Sequence, residues 1–214
     1  MIQAVIFDMD GVLLESDLLM ADAIIQTLAE CGAVVTLEDF IPYVGAGERR
    51  CIEALAAQQG VACDVEATKA KAYAVYAEMA RGRLALAPGV REFAARARAR
   101  GLHLAIASSA DPVKIAINLG EIGLPSDTFD VIVSGLDVAL KKPHPGIFLT
   151  AAERLGVAPD TCLVVEDAVN GIAAARAAGM RCLAVSTTFP PDYLAAADWV
   201  AGSLAVAPDA CFGW

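Results

Sequence analysis

The sequence is short of basic residues, of histidine and of aromatic rings, and each shortage narrows what the protein can do. Lys and Arg number 16 against 26 Asp and Glu, a formal net charge of −10. Nucleic-acid binders lean on cationic side chains to neutralise phosphates, so this balance argues against nucleic acid as a partner. It argues equally against an anionic membrane surface. No apolar run reaches the length of a membrane span. The first residues carry no basic stretch and Asp8 interrupts the apolar run, so no signal peptide is expected. The six cysteines form no Cys-x-x-Cys pair, and neither histidine is spaced with them for zinc. Cys162 and Cys182 flank strand-like runs and read as small core residues. A cytoplasmic, reducing setting follows. His103 lies within a strand and reads as structurally packed or paired, while His144 stands in a turn beside Lys142.

What remains is apolar and compact. Hydrophobic residues make up 57% of 214 and charged residues 20%, which describes a globular chain with room for one sizeable domain or a core with an insert. An acidic protein that handles an anionic substrate needs a local positive device: a metal ion, a lysine or a helix N-terminus.

The first stretch sets the pattern. Ile2 to Phe7 is apolar but for Gln3, and it stops at Asp8 and Asp10, with Gly11 next. This predicts a short buried strand delivering two acids to its C-terminal end, where open α/β sheets bind ligands. From Ser16 to Arg83 the texture becomes alanine-rich and helical, with no convincing strand. Leu18, Leu19, Ala23, Ile24 and Leu28 recur at helical spacing and Gly32 is the stop. Thr36 and Asp39 form a capping-box pattern. Gly45-Ala46-Gly47 is a break, and helices follow over Glu48 to Gln59 and Asp64 to Arg81. We therefore expect an all-α insert over residues 16–83, with the α/β core built from 1–15 and 84–214.

Beyond the insert, strands and helices alternate. Pro88-Gly89 opens a helix to Arg100, and Leu102 to Ala107 is a strand ending on Ser108-Ser109. Asp111 and Pro112 are the N-cap and first-turn pair of the next helix. Val131 to Val133 is a strand, and Lys141 to Pro145 is a turn opening a helix to Leu155. Cys162 to Val165 is a strand ending on Glu166-Asp167, followed by a helix over Ala168 to Ala178. Cys182 to Val185 and Trp199-Val200 are further strands. The tail from Ala201 receives no role. The alternation predicts an α/β fold, a doubly wound and mostly parallel sheet with helices on both faces.

Parallel strands share one carboxyl edge, so Asp8, Asp10, Ser108, a lysine, Glu166 and Asp167 converge on one crevice. Each has an ordinary reading alone: turn-capping acids, an N-cap serine, a solvated lysine turn, a first-turn charge. Together they suit phosphoryl transfer. Asp8, Asp167 and Glu166 are candidates to hold Mg²⁺, a hard ion that prefers oxygen. Asp8 is the candidate nucleophile, forming an aspartyl-phosphate, and Asp10 the acid/base. Ser108 and a lysine would hold the transferring oxygens. Ser109 and Ala110 would shape the phosphate loop.

This constellation resembles the haloacid dehalogenase-like superfamily over nearly the whole chain. Asp8-Met9-Asp10-Gly11-Val12 matches its first motif, Ser108 the second, Lys142 the third and Glu166-Asp167 the fourth. Glu166-Asp167-Ala168-Val169-Asn170-Gly171, with Ala178-Gly179-Met180, resembles the β-phosphoglucomutase and phosphoglycolate-phosphatase branch. The resemblance implies a Rossmann-like core with a helical cap, Mg²⁺, and Asp10 offering its backbone carbonyl to the metal. It departs from the mutase pattern at three points. Met20 stands where the mutase has histidine, Val44 where it has the hinge lysine, and Glu48 where its arginine aligns. A mutase must hold a second phosphate, so hydrolysis of a small phosphorylated metabolite is the favoured expectation and a β-phosphoglucomutase-like mutase the alternative. A non-catalytic phospho-aspartate receiver is a third reading, but receivers lack a large helical insert after the first strand. Glu15, Ser16, Gly45 and Arg49 are candidate substrate contacts, Lys141 is expected to be solvated, and the protein is expected to act as a monomer.

Overall fold

A computed structural model of the chain describes residues 1–43 and 47–214. Six strands form one sheet in the order β3-β2-β1-β4-β5-β6. They are β1 (Ala4–Phe7), β2 (His103–Ala107), β3 (Val131–Val133), β4 (Cys162–Glu166), β5 (Arg181–Val185) and β6 (Trp199–Ala201). Every adjacent pair is parallel. The order reverses between β1 and β4, with Phe7 opposite Val165 in register. That reversal opens a crevice beyond the carboxyl ends of these two strands. It is why Asp8 and Glu166, the residues that end or follow them, become neighbours.

The strands alternate their side chains between two cores, as a pleated strand must. Val5, Phe7, Leu104, Ile106, Leu163, Val165, Leu183 and Val185 face one side. There they meet α5 (Val90–Ala99) and α6 (Pro112–Glu121). Ala4, Ile6, Ala105, Ala107, Val164 and Ala184 face the other. The small residues on this face admit α7 (Gly146–Leu155) and α8 (Val169–Ala177). All six cysteines are free, and Cys162 and Cys182 lie fully buried in this second core.

Between β1 and α5 the described residues form helices and no strand: α1 (Asp17–Glu30), α2 (Leu37–Phe40), α3 (Glu48–Gln59) and α4 (Val65–Ala80). The Thr36 box forms as expected, with Asp39 N–H donating to Thr36 Oγ1 and Thr36 N–H to Asp39 Oδ2 at 2.9 Å. Asp64 caps α4 by accepting from Glu66 and Ala67 N–H. Ile24, Leu28, Ile52, Leu55, Ala72 and Tyr76 pack among these helices and join the first core without a break.

Two expectations need correction. Asp111 occupies the N-cap of α6 but makes no side-chain cap bond; its Oδ2 accepts from Lys69 Nζ of α4 at 3.0 Å. A charged donor from the neighbouring helix outcompetes the backbone amides. The tail is not idle. Leu204, Ala207, Cys211 and Phe212 are buried in the first core, and the Phe212 ring lies 4.8 Å from that of Phe93. A Cβ on Gly89 would come within 2.0 Å of Ala205 N, so the tail closes directly over the start of α5.

Candidate active site

The carboxyl edge of the sheet opens into a cavity of about 650 Å³ beneath the helical insert. Asp8, Asp10, Ser108, Ser109, Ala110, Lys142, Glu166 and Asp167 all line it. The residues singled out on separate strand ends are thus brought together.

Lys142 is the centre of charge. Its Nζ donates to Asp8 Oδ1 at 2.5 Å and to Glu166 Oε1 at 2.6 Å, and sits 4.7 Å from the centroid of the Phe148 ring. Burial works against this ammonium, but the two carboxylates outweigh it and hold its pKa above the ordinary lysine range. Glu166 is bracketed on its other oxygen, where Oε2 accepts from the N–H groups of Asp167 and Ala168. Gly171 leaves the room for this: a Cβ there would fall 1.8 Å from Glu166 Oε1.

Asp8, Glu166 and Asp167 each bring an oxygen within 4.8 Å of the others. One lysine does not balance three acids. Burial pushes Asp8 up to about 7 against the pull of Lys142, with Glu166 adding to the rise. Burial, then Glu166 and Asp8, push Asp167 up to about 9. Buried like charges at this spacing favour protonation unless a cation joins them. An all-oxygen set of this kind fits a hard divalent cation. Gly11 lies against the cluster in a left-handed conformation (φ +78°), and a Cβ there would stand 2.0 Å from Asp167 Oδ2. The side chain of Asp10 is not in this cluster, and the resemblance places only its backbone carbonyl at the metal.

Asp10 turns the other way. Its Oδ1 accepts a short hydrogen bond from Ser16 Oγ, and its Oδ2 accepts from Lys114 Nζ at 2.9 Å. Lys114 also donates to Asp17 Oδ1 at 3.2 Å. Behind them, Asn118 Nδ2 donates to Ser16 Oγ at 3.3 Å, and the Tyr76 hydroxyl donates to Asn118 Oδ1. Ser16 is therefore a support for Asp10 rather than a cavity-lining group. The cap helices α1 and α4 are tied to the core helix α6 through this chain of polar groups.

Ser108 is buried at the end of β2, its N–H donating to Val133 O. Its Oγ accepts from Ala110 N–H at 3.1 Å, which leaves the hydroxyl proton free for a ligand. Lys141 is not simply solvated. Its Nζ donates to Gly135 O at 2.6 Å and Ser109 O at 3.3 Å, and it lines the cavity.

The insert candidates fare differently. Gly45, and with it Val44 of the hinge pattern, lies outside the described residues. Glu15 is exposed and does not line the cavity. Arg49 points to solvent and pairs with Glu53 and Glu66, while its neighbour Arg50 lines the cavity. Met20 is buried and does line it. His103 pairs with Asp130 at 3.3 Å, and His144 Nδ1 accepts from Gly146 N–H; neither lines the cavity.

Sequence reasoning missed Lys114, Asn118 and Tyr76. It also missed the loop after β5, where Thr187 Oγ1 donates to Gly11 O at 2.5 Å and Thr188 lies beside Asp167. The loop had a usable signal, since β5 neighbours β4 and ends on the same edge. For α6 the only signal was the i, i+4 spacing of Lys114 and Asn118 on an otherwise apolar helix face.

The chain matches known proteins along most of its length. It is 41% identical over 190 residues to the chloroplastic protein Suppressor of quenching 1 of Arabidopsis thaliana, which is 87% of this chain but 18% of that protein. It is 36% identical over 208 residues to the protein CbbY of Rhodobacter capsulatus, covering 92% of each. A crystal structure of CbbY from Rhodobacter sphaeroides, an Asp-to-Asn variant in complex with xylulose 1,5-bisphosphate, superposes with a TM-score of 0.87, 28% identity and 96% of each chain covered. The model of the haloacid dehalogenase-like hydrolase family matches residues 2–179, and the chain belongs to that family of enzymes.

Proposed function

We propose that this enzyme is a Mg²⁺-dependent phosphatase that hydrolyses a small sugar phosphate through an aspartyl-phosphate. The observation that carries the reading is the cluster of Asp8, Glu166 and Asp167 around the Lys142 ammonium, at the floor of a cavity large enough for such a substrate. The sugar bisphosphate bound by the similar CbbY structure supports the substrate class.

The side chains divide the work. An Asp8 oxygen attacks phosphorus, the bond to the sugar oxygen breaks, and the departing oxygen takes a proton from Asp10. Water then attacks phosphorus, Asp10 takes its proton, the bond to Asp8 breaks and phosphate leaves. Lys142, the Ser108 hydroxyl and the backbone around Ser109 hold the phosphoryl oxygens while this happens. Asp8, Asp167 and the carbonyl of Asp10 would hold Mg²⁺, with Glu166 bracing Lys142 beside them. The ion, when bound, neutralises acids and phosphate together. The helices of residues 16–83 form the lid that excludes water.

A mutase would need a cationic hold for its second phosphate, and the acid Glu48 at the aligned position favours hydrolysis. The test is a panel of phosphate esters with Mg²⁺ or with chelator, monitored for free phosphate and for isomerised sugar. Stoichiometric phosphate, dependent on Mg²⁺ and lost in Asp8→Asn, is expected. Isomer without phosphate release would overturn hydrolysis.

A further inference from the structure

Lys141 lines the cavity beside Lys142, but the two lysines are held differently. Lys142 donates to the carboxylates of Asp8 and Glu166. Among the described residues, Lys141 Nζ donates to backbone carbonyls, Gly135 O at 2.6 Å and Ser109 O at 3.3 Å. The nearby acids Asp111 and Glu48 act on it through space. Room for the ammonium comes from Gly135, where a Cβ would fall 2.2 Å from Lys141 Nζ and 2.1 Å from Ser109 O.

The Ser109 carbonyl belongs to the loop that presents Ser108. A trans peptide sends its C=O and its N–H in opposite directions. With Ser109 O turned to the ammonium, the Ala110 N–H of the same peptide points the other way and donates to Ser108 Oγ at 3.1 Å. Two backbone bonds fix the rest of the loop, Ser108 N–H to Val133 O at 3.0 Å and Gly135 N–H to Ala110 O at 2.8 Å. An ammonium at the carbonyl end polarises the peptide and strengthens its N–H as a donor. A hydroxyl oxygen that accepts such a bond becomes a better donor in turn. One lone pair of Ser108 Oγ is thereby occupied, and the hydroxyl proton is left for a ligand.

We propose that Lys141 is a positioning residue for phosphoryl transfer: it holds the Ser109–Ala110 peptide so that the peptide N–H engages Ser108 Oγ and commits the Ser108 proton to the phosphoryl group. This rests on the phosphatase reading, and adds to it a residue that acts through Ser108 rather than on the substrate.

The test is a double-mutant cycle between Lys141→Met and Ser108→Ala. It is run with Mg²⁺ on p-nitrophenyl phosphate for kcat and KM, and with orthovanadate by calorimetry for affinity towards a phosphoryl-like group. Lys141→Met alone should lower kcat about tenfold and weaken orthovanadate by a similar factor, the scale of one hydrogen bond to a charged group. KM should stay within about twofold, as for an interaction made in the transition state. In Ser108→Ala protein the same substitution should change kcat and orthovanadate affinity by less than about twofold, because the hydroxyl it positions is gone. Lys141→Arg, which can reach the same carbonyls, should restore most of kcat. Lys141→Gln takes the place of the Met variant in the cycle if that protein does not fold. A loss of equal size in both backgrounds would mean that the lysine acts on the phosphoryl group directly or only clamps the fold, and would overturn the inference, as would no loss at all. Phosphate release from neither p-nitrophenyl phosphate nor a pentitol phosphate by the unmodified enzyme would overturn the phosphatase reading and this inference with it. Turnover with additive losses would overturn this inference alone.

Discussion

Lys114 and Asp10 stand 104 residues apart in the chain, and their Nζ and Oδ2 lie 2.9 Å apart. The ammonium is buried, yet Asp10 and Asp17 outweigh that burial and keep its pKa above the ordinary range. One lysine of a core helix thus fixes the acid assigned to proton transfer and, through Asp17, the first turn of the insert.

Removing that lysine leaves two acids facing each other without a counter-ion. Lys114→Met should lower stability by about 3 kcal/mol, the scale of breaking one side of a buried ion pair. It should also lower kcat more than it changes KM, because Asp10 loses its hold. Urea unfolding and steady-state kinetics check the two effects.

Gly11 can be tested by a single methyl. Gly11→Ala forces a residue with a side chain into φ +78° and drives its Cβ into Asp167. The backbone cost is about 1–2 kcal/mol. Displacing Asp167 should cost about a hundredfold in kcat, the scale of an ångström-sized misplacement at a reacting centre. A Mg²⁺ titration monitored by thermal shift should show weaker binding than in the parent enzyme.

The loop that carries Lys141 and Lys142 depends on Asp137. This acid accepts from Ser134 Oγ and N–H and from Arg154 of α7, and these bonds, Ser134 first, lower its pKa to about 2. The folded protein then binds fewer protons here than the unfolded chain between the ordinary carboxylate value and about 2, so stability rises with pH across that window. The contribution is complete above the unfolded value and is lost as pH falls through the folded one. Asp137→Asn should destabilise the protein at pH 6, and the difference between the two proteins should shrink as pH falls from about 4 towards 2. Urea midpoints across that range measure it.

The tail makes a prediction of the opposite kind. Phe212 packs on Phe93, with Arg96 and Arg100 over its ring. Phe212→Ala should cost about 3 kcal/mol, as for other buried phenylalanines, and leave KM unchanged. Thermal melting and kinetics separate the two.

The strand-end acids and Ser108 were legible because β1, β2 and β4 are short apolar runs that stop on them, and Lys142 because it matches the third motif in the turn before α7. A parallel sheet then forces those ends onto one edge. Lys114 was not legible: a lysine two residues after a helix-opening proline is usually solvated, and only the packing of α6 against α1 and α4 brings it to Asp10. The start of α3 at Glu48 was legible, but the choice between Arg49 and Arg50 depends on which face of α3 packs towards the core, since one residue turns a helix by about 100°. Candidate contacts were spread over Arg49 and Glu15, whereas the structure turns Arg50 and Glu48 into the cavity. The tail carried no periodicity, and its burial comes from a close approach at Gly89 that no local pattern announces.

The nucleophile is the point on which the rest depends. Mixing the enzyme with Mg²⁺ and a sugar phosphate, quenching in acid during turnover and mapping peptides by mass should find one added phosphoryl group on the N-terminal peptide, at Asp8, and none in Asp8→Asn. Turnover that survives in Asp8→Asn, or a phosphoryl group on any other residue, would contradict the assignment.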